Sequence, residues 1–97
     1  MQNTYQLTPR ALADLHQVAS YSVQQWGITQ RNKYLKALEN KLLLLSQNPK
    51  LGKLRTDLSI SCRSYPHEEH IIFYQEHKQH IAIIGILHKH MDVDLTP

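Results

Sequence analysis

The run Ile81-Ala82-Ile83-Ile84-Gly85-Ile86-Leu87 limits what this chain can fold into more than any other segment. It is apolar at odd and even positions alike, so it fits an interior strand with protein above and below it. Gly85 within the run reads as a point of close backbone approach or a bulge. Two further β-rich segments precede it: residues 62–66, and residues 70–76 joined to the run by a polar turn around Glu76-His77-Lys78-Gln79. Near the start, Tyr5 and Leu7 alternate with Thr4 and Gln6, the pattern of a short half-buried strand.

Helical signals fill the first half. Thr8-Pro9 is a start signal, because the threonine hydroxyl can cap free amides and proline at the first helical position sacrifices no hydrogen bond. Leu12, Leu15, Ala19 and Ser22 or Val23 recur at helical spacing, with Trp26 after them, and Gly27 is expected to stop the helix in a left-handed conformation. Thr29 is expected to cap a second helix whose apolar side is Leu35, Leu38, Leu42 and Leu45, ended by Asn48-Pro49. So short a connection folds the two into an antiparallel hairpin. The expected fold is therefore α+β: an N-terminal strand, a helical hairpin, then three strands in a mainly antiparallel sheet. Residues 49–61 are expected to be a long loop, pinned by Leu51, Leu54, Leu58 and Ile60.

At 97 residues the chain fits one domain, 1–97, large enough to fold without disulfides or metal. Cys62 is its single cysteine, the first residues lack the pattern of a secretory signal, and no window approaches a membrane span, so a cytoplasmic protein without membrane contact is expected. Net charge is a modest +3, unevenly spread: Arg31, Lys33, Lys36, Lys41, Lys50, Lys53 and Arg55 face Glu39 alone in the middle of the chain. Such a stretch suits nucleic acid or an acidic protein segment, or is simply a solvated helix face.

Several segments occur in fixed order: Tyr5-x-Leu7-Thr8-Pro9-x-Ala11-x-x-Asp14-Leu15, Tyr21 with Trp26-Gly27, Pro49-x-Leu51-Gly52-x-x-Arg55-x-Asp57, Arg63-Ser64, His70-Ile71-Ile72-x-Tyr74 and Ile86-Leu87-His88-x-x-Met91-Asp92. Together they resemble the ParE branch of the RelE/ParE toxin superfamily. The resemblance implies the toxin of a type II toxin–antitoxin module, in a hetero-oligomer with a ParD-like antitoxin. It further implies DNA gyrase as target, trapped in its cleaved-DNA state by binding and without catalysis, cofactor or sequence-specific nucleic-acid contact. Two departures stand out: Cys62 where relatives often carry glycine, and Lys89-His90 after His88 where relatives commonly have arginine or glutamate.

Arg55, Arg63, Tyr74, His88, Met91 and Asp92 are the expected target-binding residues, with Arg63, Tyr74 and His88 brought close together on neighbouring strands. The competing activity is messenger-RNA cleavage: Arg63 would stabilise phosphorane charge, His70 or His88 would move a proton, Tyr74 would donate, and Lys50, Lys53 and Arg55 would grip phosphates. A third possibility is an inactive remnant that survives as an antitoxin-bound module. The pairs His67/His70, His77/His80 and His88/His90 suggest metal superficially, but a lone cysteine and no carboxylate-anchored helix motif argue against a zinc site.

Overall fold

The computed structural model describes residues 4–58, 60–91 and 93–95. The elements in order are β1 (Thr4–Leu7), α1 (Pro9–Gln47), a 3₁₀ turn (Pro49–Leu51), β2 (Lys53–Arg55), β3 (Cys62–His67), β4 (His70–Glu76) and β5 (His80–His88). The five strands form one sheet in the order β1-β5-β4-β3-β2, parallel at β1/β5 and antiparallel elsewhere. β5 thus lies inside the sheet, where its two-sided apolarity demands. Two corrections follow for the segments around it. Four strands, not three, come after the helical region, because Lys53–Arg55 pairs with β3 inside the expected loop. The helical region is also one run without a connecting loop, broken at Gly27 alone.

That break reverses the chain. A straight helix of 39 residues would be roughly 58 Å long at 1.5 Å per residue. The molecule's longest dimension is 38 Å, and Leu15 and Ala19 before the break line one groove with Leu35 and Leu42 after it, so the two arms run back along each other. Gly27 has φ 85° and ψ 175°, a region beyond the left-handed helix that side chains other than glycine's hardly enter. Helical backbone resumes at Ile28, so Thr29 sits within the first turn of the second arm instead of capping it.

Both outer ends of the run carry their expected caps. Thr8 Oγ1 accepts from the Ala11 amide at 3.1 Å and donates to the Ile83 carbonyl at 3.1 Å, which fastens the helix start to β5. At the other end the Asn48 backbone and side-chain N–H groups both reach the Leu44 carbonyl, at 3.0 Å. The first arm is rotated from the expected stripe: Ala11, Val18 and Ser22 are buried and Leu12 is exposed. On the second arm Tyr34, Leu38, Leu42 and Leu45 face inward.

The arms cover one side of the sheet, packing against Ile72, Tyr74, Ile81, Ile83 and Ile86. The opposite side buries Cys62, Phe73 and Leu87 under Leu58 and Leu95. β5 contributes to both sides through a bulge. Phe73 pairs with Gly85 and Tyr74 with Ile83, leaving Ile84 as an extra residue that shifts the phase of everything after it. A Cβ on Gly85 would come within 2.8 Å of a Leu95 methyl. Just beyond the bulge, the Ile86 amide donates to the Asp14 carboxylate at 3.0 Å, and Arg10 Nε donates to the same carboxylate at 3.2 Å.

Gly27→Ala is predicted to destabilise the protein by about 1–3 kcal/mol in urea unfolding, although an added Cβ there meets nothing within 4 Å. The cost is backbone strain alone, so a neutral substitution would show that the turn has another origin.

Candidate functional site

The six expected target-binding residues do not form one cluster. Arg63 and Tyr74 are directly paired across β3 and β4, whereas His88 pairs with His70 at the opposite end of β4. Four residue steps along the strand take His70 to Tyr74, about 13 Å at 3.3 Å per step. The expectation that Arg63, Tyr74 and His88 share one site is therefore corrected: adjacent strands bring residues together only where the register matches them.

Arg63 and Tyr74 hold the turn before β2. Tyr74 is 0 % exposed, its hydroxyl donates to the Pro49 carbonyl at 2.6 Å, and it accepts from the Gly52 amide at 2.8 Å. Arg63 donates to the Gly52 carbonyl at 2.8 Å and lies 3.6 Å from Glu76. Gly52 is required here by space, because a Cβ would overlap the Tyr74 ring. Burial raises the Tyr74 pKa, so the phenol stays a protonated donor. A side chain so enclosed cannot touch a partner, and its effect on any surface is through the turn it fixes.

Arg55 lies on the other side of the sheet, because it pairs with Cys62 while Leu54 pairs with Arg63. It grips Asp57 through two hydrogen bonds, 2.9 and 2.7 Å, and lies 5.6 Å from the Phe73 ring centre. Those hydrogen bonds hold the Asp57 carboxyl down to about 2. Cys62, at the position where glycine was noted in relatives, leaves β3 regular through Arg63 and fills the core beside Phe73.

At the far end His88 closes β5 and leads into a compact turn. Lys89 N donates to the Glu69 carbonyl at 2.9 Å, Met91 N to the His88 carbonyl at 2.9 Å, and His90 N to His88 Nδ1 at 3.2 Å. Met91 is 56 % exposed; Asp92 lies outside the described residues. The His88 ring is 6.0 Å from Tyr21 and 5.5 Å from His70.

Behind that turn lies a cluster that reading the sequence missed as a unit. Tyr34 Oη contacts the His67 carbonyl at 3.2 Å and His70 Nδ1 at 2.7 Å. The phenol has one proton and the carbonyl can only accept; with that proton assigned to the His67 carbonyl, the shorter contact assigns a proton to His70 Nδ1. Burial chiefly, with His88 adding to it, depresses the His70 pKa to about 4, so the ring is neutral with Nε2 bare at neutral pH. Burial likewise lowers the His67 pKa, and raises that of Tyr34 to about 12. The spacing His67-x-x-His70 was the available signal; Tyr34, from a helix 33 residues upstream, was not visible without the fold. Among the described residues, no group of three or more His, Cys, Asp or Glu side chains is placed to hold a metal ion.

Residues 5–93 match the family described as ParE toxin of type II toxin–antitoxin system, parDE. Curated relatives include Toxin ParE1 of Caulobacter vibrioides, 31 % identical over 91 % of each chain. Toxin ParE1 of Mycobacterium tuberculosis is 28 % identical over 97 % of each, and Toxin ParE of Escherichia coli 30 % identical over 92 % of this chain and 87 % of its own. Among solved structures, a chain of the chromosomal ParDE system from P. aeruginosa superposes with TM-score 0.75 at 20 % identity, covering 91 % of this chain and 96 % of its own, which shows the shared fold.

Two predictions come from this geometry. Tyr74→Phe removes both hydrogen bonds to the Pro49–Gly52 turn and should cost about 1–3 kcal/mol by chemical denaturation, with faster amide exchange at Gly52. The second concerns pH. Because the folded pKa of His70 lies below that of a free imidazole, the unfolded chain binds more protons between roughly pH 6.5 and 4. Stability contributed by neutral His70 is full above that window and lost as pH falls through it, by on the order of 2–3 kcal/mol for a 4 % exposed ring. Melts at stepped pH should show the loss, reduced in His70→Phe; an unchanged profile in that variant would assign the acid sensitivity elsewhere.

Proposed function

The chain belongs to the ParE toxin family of type II toxin–antitoxin systems, and from that premise we propose that it harms the cell by binding DNA gyrase and stabilising its cleaved-DNA complex, without catalysis of its own. Separation of the polar groups is the observation that carries this reading. An RNA-cleaving site needs charge stabilisation and proton transfer to meet at one phosphodiester. Here Arg63 and Tyr74 serve the Gly52 turn at one end of the sheet, while His70 and His88 stand at the other. Nor does His70 suit general acid chemistry at neutral pH, being buried with a pKa near 4.

The proposed target-binding surface is the projection after β5, formed by His88, Lys89, His90 and Met91 with Asp92 following. Three backbone-amide hydrogen bonds fix its shape from His88 to Met91, and a preorganised protrusion loses little entropy on binding. Arg63 is assigned a positioning role, and Arg55, on the opposite face, a place outside this surface. Neutralisation falls to a ParD-like antitoxin in a cytoplasmic hetero-oligomer. Exposed apolar residues support that partner: Ile28 at 61 %, with Leu12, Leu43 and Leu44, lies along the helical arms, where an amphipathic segment could cover it. Among the described residues no helix is long and apolar enough to cross a membrane.

The double variant Lys89→Glu/His90→Glu is expected to lower gyrase-mediated DNA cleavage at least tenfold, read on supercoiled DNA with purified gyrase, while the antitoxin complex still forms. Full cleavage by the variant would misplace the surface. Cuts in messenger RNA by the wild-type protein alone would replace the binding mechanism with an enzymatic one.

A further inference from the structure

A cavity of about 540 Å³ opens between the first helical arm and the ends of β4 and β5, walled by Val18, Tyr21, Ile86 and Met91 and reached by His70 and His88. Its size is that of a site for a ring compound or a large side chain. Several of the polar groups around it are already engaged, and Gln17 and Tyr21 stand exposed at its edge. Asp14 accepts from the Ile86 amide and from Arg10, and His88 lies 3.7 Å from Glu69. His70 is the buried one: the residue is 4 % exposed, Nδ1 is committed to Tyr34, and among the described residues Nε2 has no hydrogen-bond partner. A bare imidazole nitrogen beside apolar walls is an acceptor, and it calls for a ligand that is apolar and carries one N–H or O–H donor.

We propose that this cavity is an anchor pocket for a tyrosine or tryptophan side chain of the antitoxin, whose phenol or indole donor bonds His70 Nε2. The identity of the partner rests on the toxin–antitoxin reading above; the chemistry of the pocket does not. Phenol and indole are the protein side chains that join a large apolar ring to a single neutral donor. The mouth also favours a polypeptide over a free small molecule. Tyr21 and Met91 stand exposed at its rim, and Trp26, 46 % exposed, lies edge-on to Tyr21 at 5.9 Å, an apolar collar that a segment of chain covers as its anchor enters. Aromatic anchors seated in such pockets carry a large share of the affinity in stable interfaces. The pocket also adjoins the turn from His88 to Met91, so an anchored antitoxin would cover the surface assigned to the target and neutralise by occlusion.

The test uses the intact toxin with p-cresol and 3-methylindole as probes and toluene as the donor-free control, followed by nitrogen-15 NMR of the histidine rings. Both donors are expected to bind and shift His70 Nε2, about 3- to 10-fold tighter than toluene, the factor one hydrogen bond supplies. In His70→Phe that preference should vanish. The comparison among ligands on the wild-type protein decides the matter even where the variant fails to fold. Equal binding of toluene, or no binding of any probe, would overturn the pocket. Adding the antitoxin should expel p-cresol; a stable antitoxin complex that leaves p-cresol in place would overturn the assigned occupant. An antitoxin that does not bind at all would defeat the toxin–antitoxin reading and leave the ligand result standing.

Discussion

An interior strand with apolar residues on both faces keeps one phase only while each residue has a partner, and β5 inserts Ile84 between the partners of Phe73 and Tyr74. Strict alternation would aim Ile81, Ile83, Gly85 and Leu87 at the helical arms. With the extra residue, Ile81, Ile83 and Ile86 pack under the arms and Leu87 joins Phe73 and Cys62 on the other side. His88 is carried to the helical side as well, beside Tyr21 and His70. A one-residue slip of this kind changes the face of every side chain after it. The aromatic and histidine end of the molecule exists because of it.

Bulges disturb a strand's hydrogen bonding, and Asp14 takes the Ile86 amide from the neighbouring layer. That bond ties the first arm to β5 near its middle, as Thr8 does at its beginning. With the arm fixed twice, the gap between it and the end of β5 is held open as a cavity instead of closing by collapse. Arg63, Tyr74 and Gly52 do comparable work at the other end, bracing the turn that delivers β2 to the sheet edge. The two ends are separate devices sharing a scaffold.

Signals with local causes were readable in the sequence. Thr8-Pro9 and Asn48-Pro49 bound the helical run as capping chemistry predicts, Gly27 reverses it, and the two-sided apolarity of residues 81–87 located the interior strand with Gly85 at its irregularity. Signals that depend on register were not. β2 is three residues long and owes its existence to pairing with β3, so no periodicity announced it. The opposite facing of Arg55 and Arg63 follows from that pairing, and the distance of His88 from Tyr74 follows from where β4 meets β5. Leu12 was misplaced for a related reason: a stripe of Leu12, Leu15 and Ala19 and one of Ala11, Leu15, Val18 and Ser22 are both helical, and only contact with the sheet selects the second.

Local rules are broken chiefly at one place in this fold. His67 and His70 are buried where phenylalanine or leucine would pack without desolvation, His67 Nε2 has no hydrogen-bond partner among the described residues, and Glu68 between them adopts φ 56°, a region costly for any residue that carries a Cβ. All three lie in the β3–β4 turn, against the end of the sheet that carries the cavity. Elsewhere Ser22 Oγ on the first arm also lacks a partner among the described residues, while Asp14 is matched with an amide and Tyr74 with a carbonyl and an amide. A chain whose local preferences agree with its fold almost throughout, and conflict with it around one turn, gives up stability at that turn. Strain at Glu68 and the enclosed His67 Nε2 are costs of that turn, borne at the end of the sheet that borders the cavity.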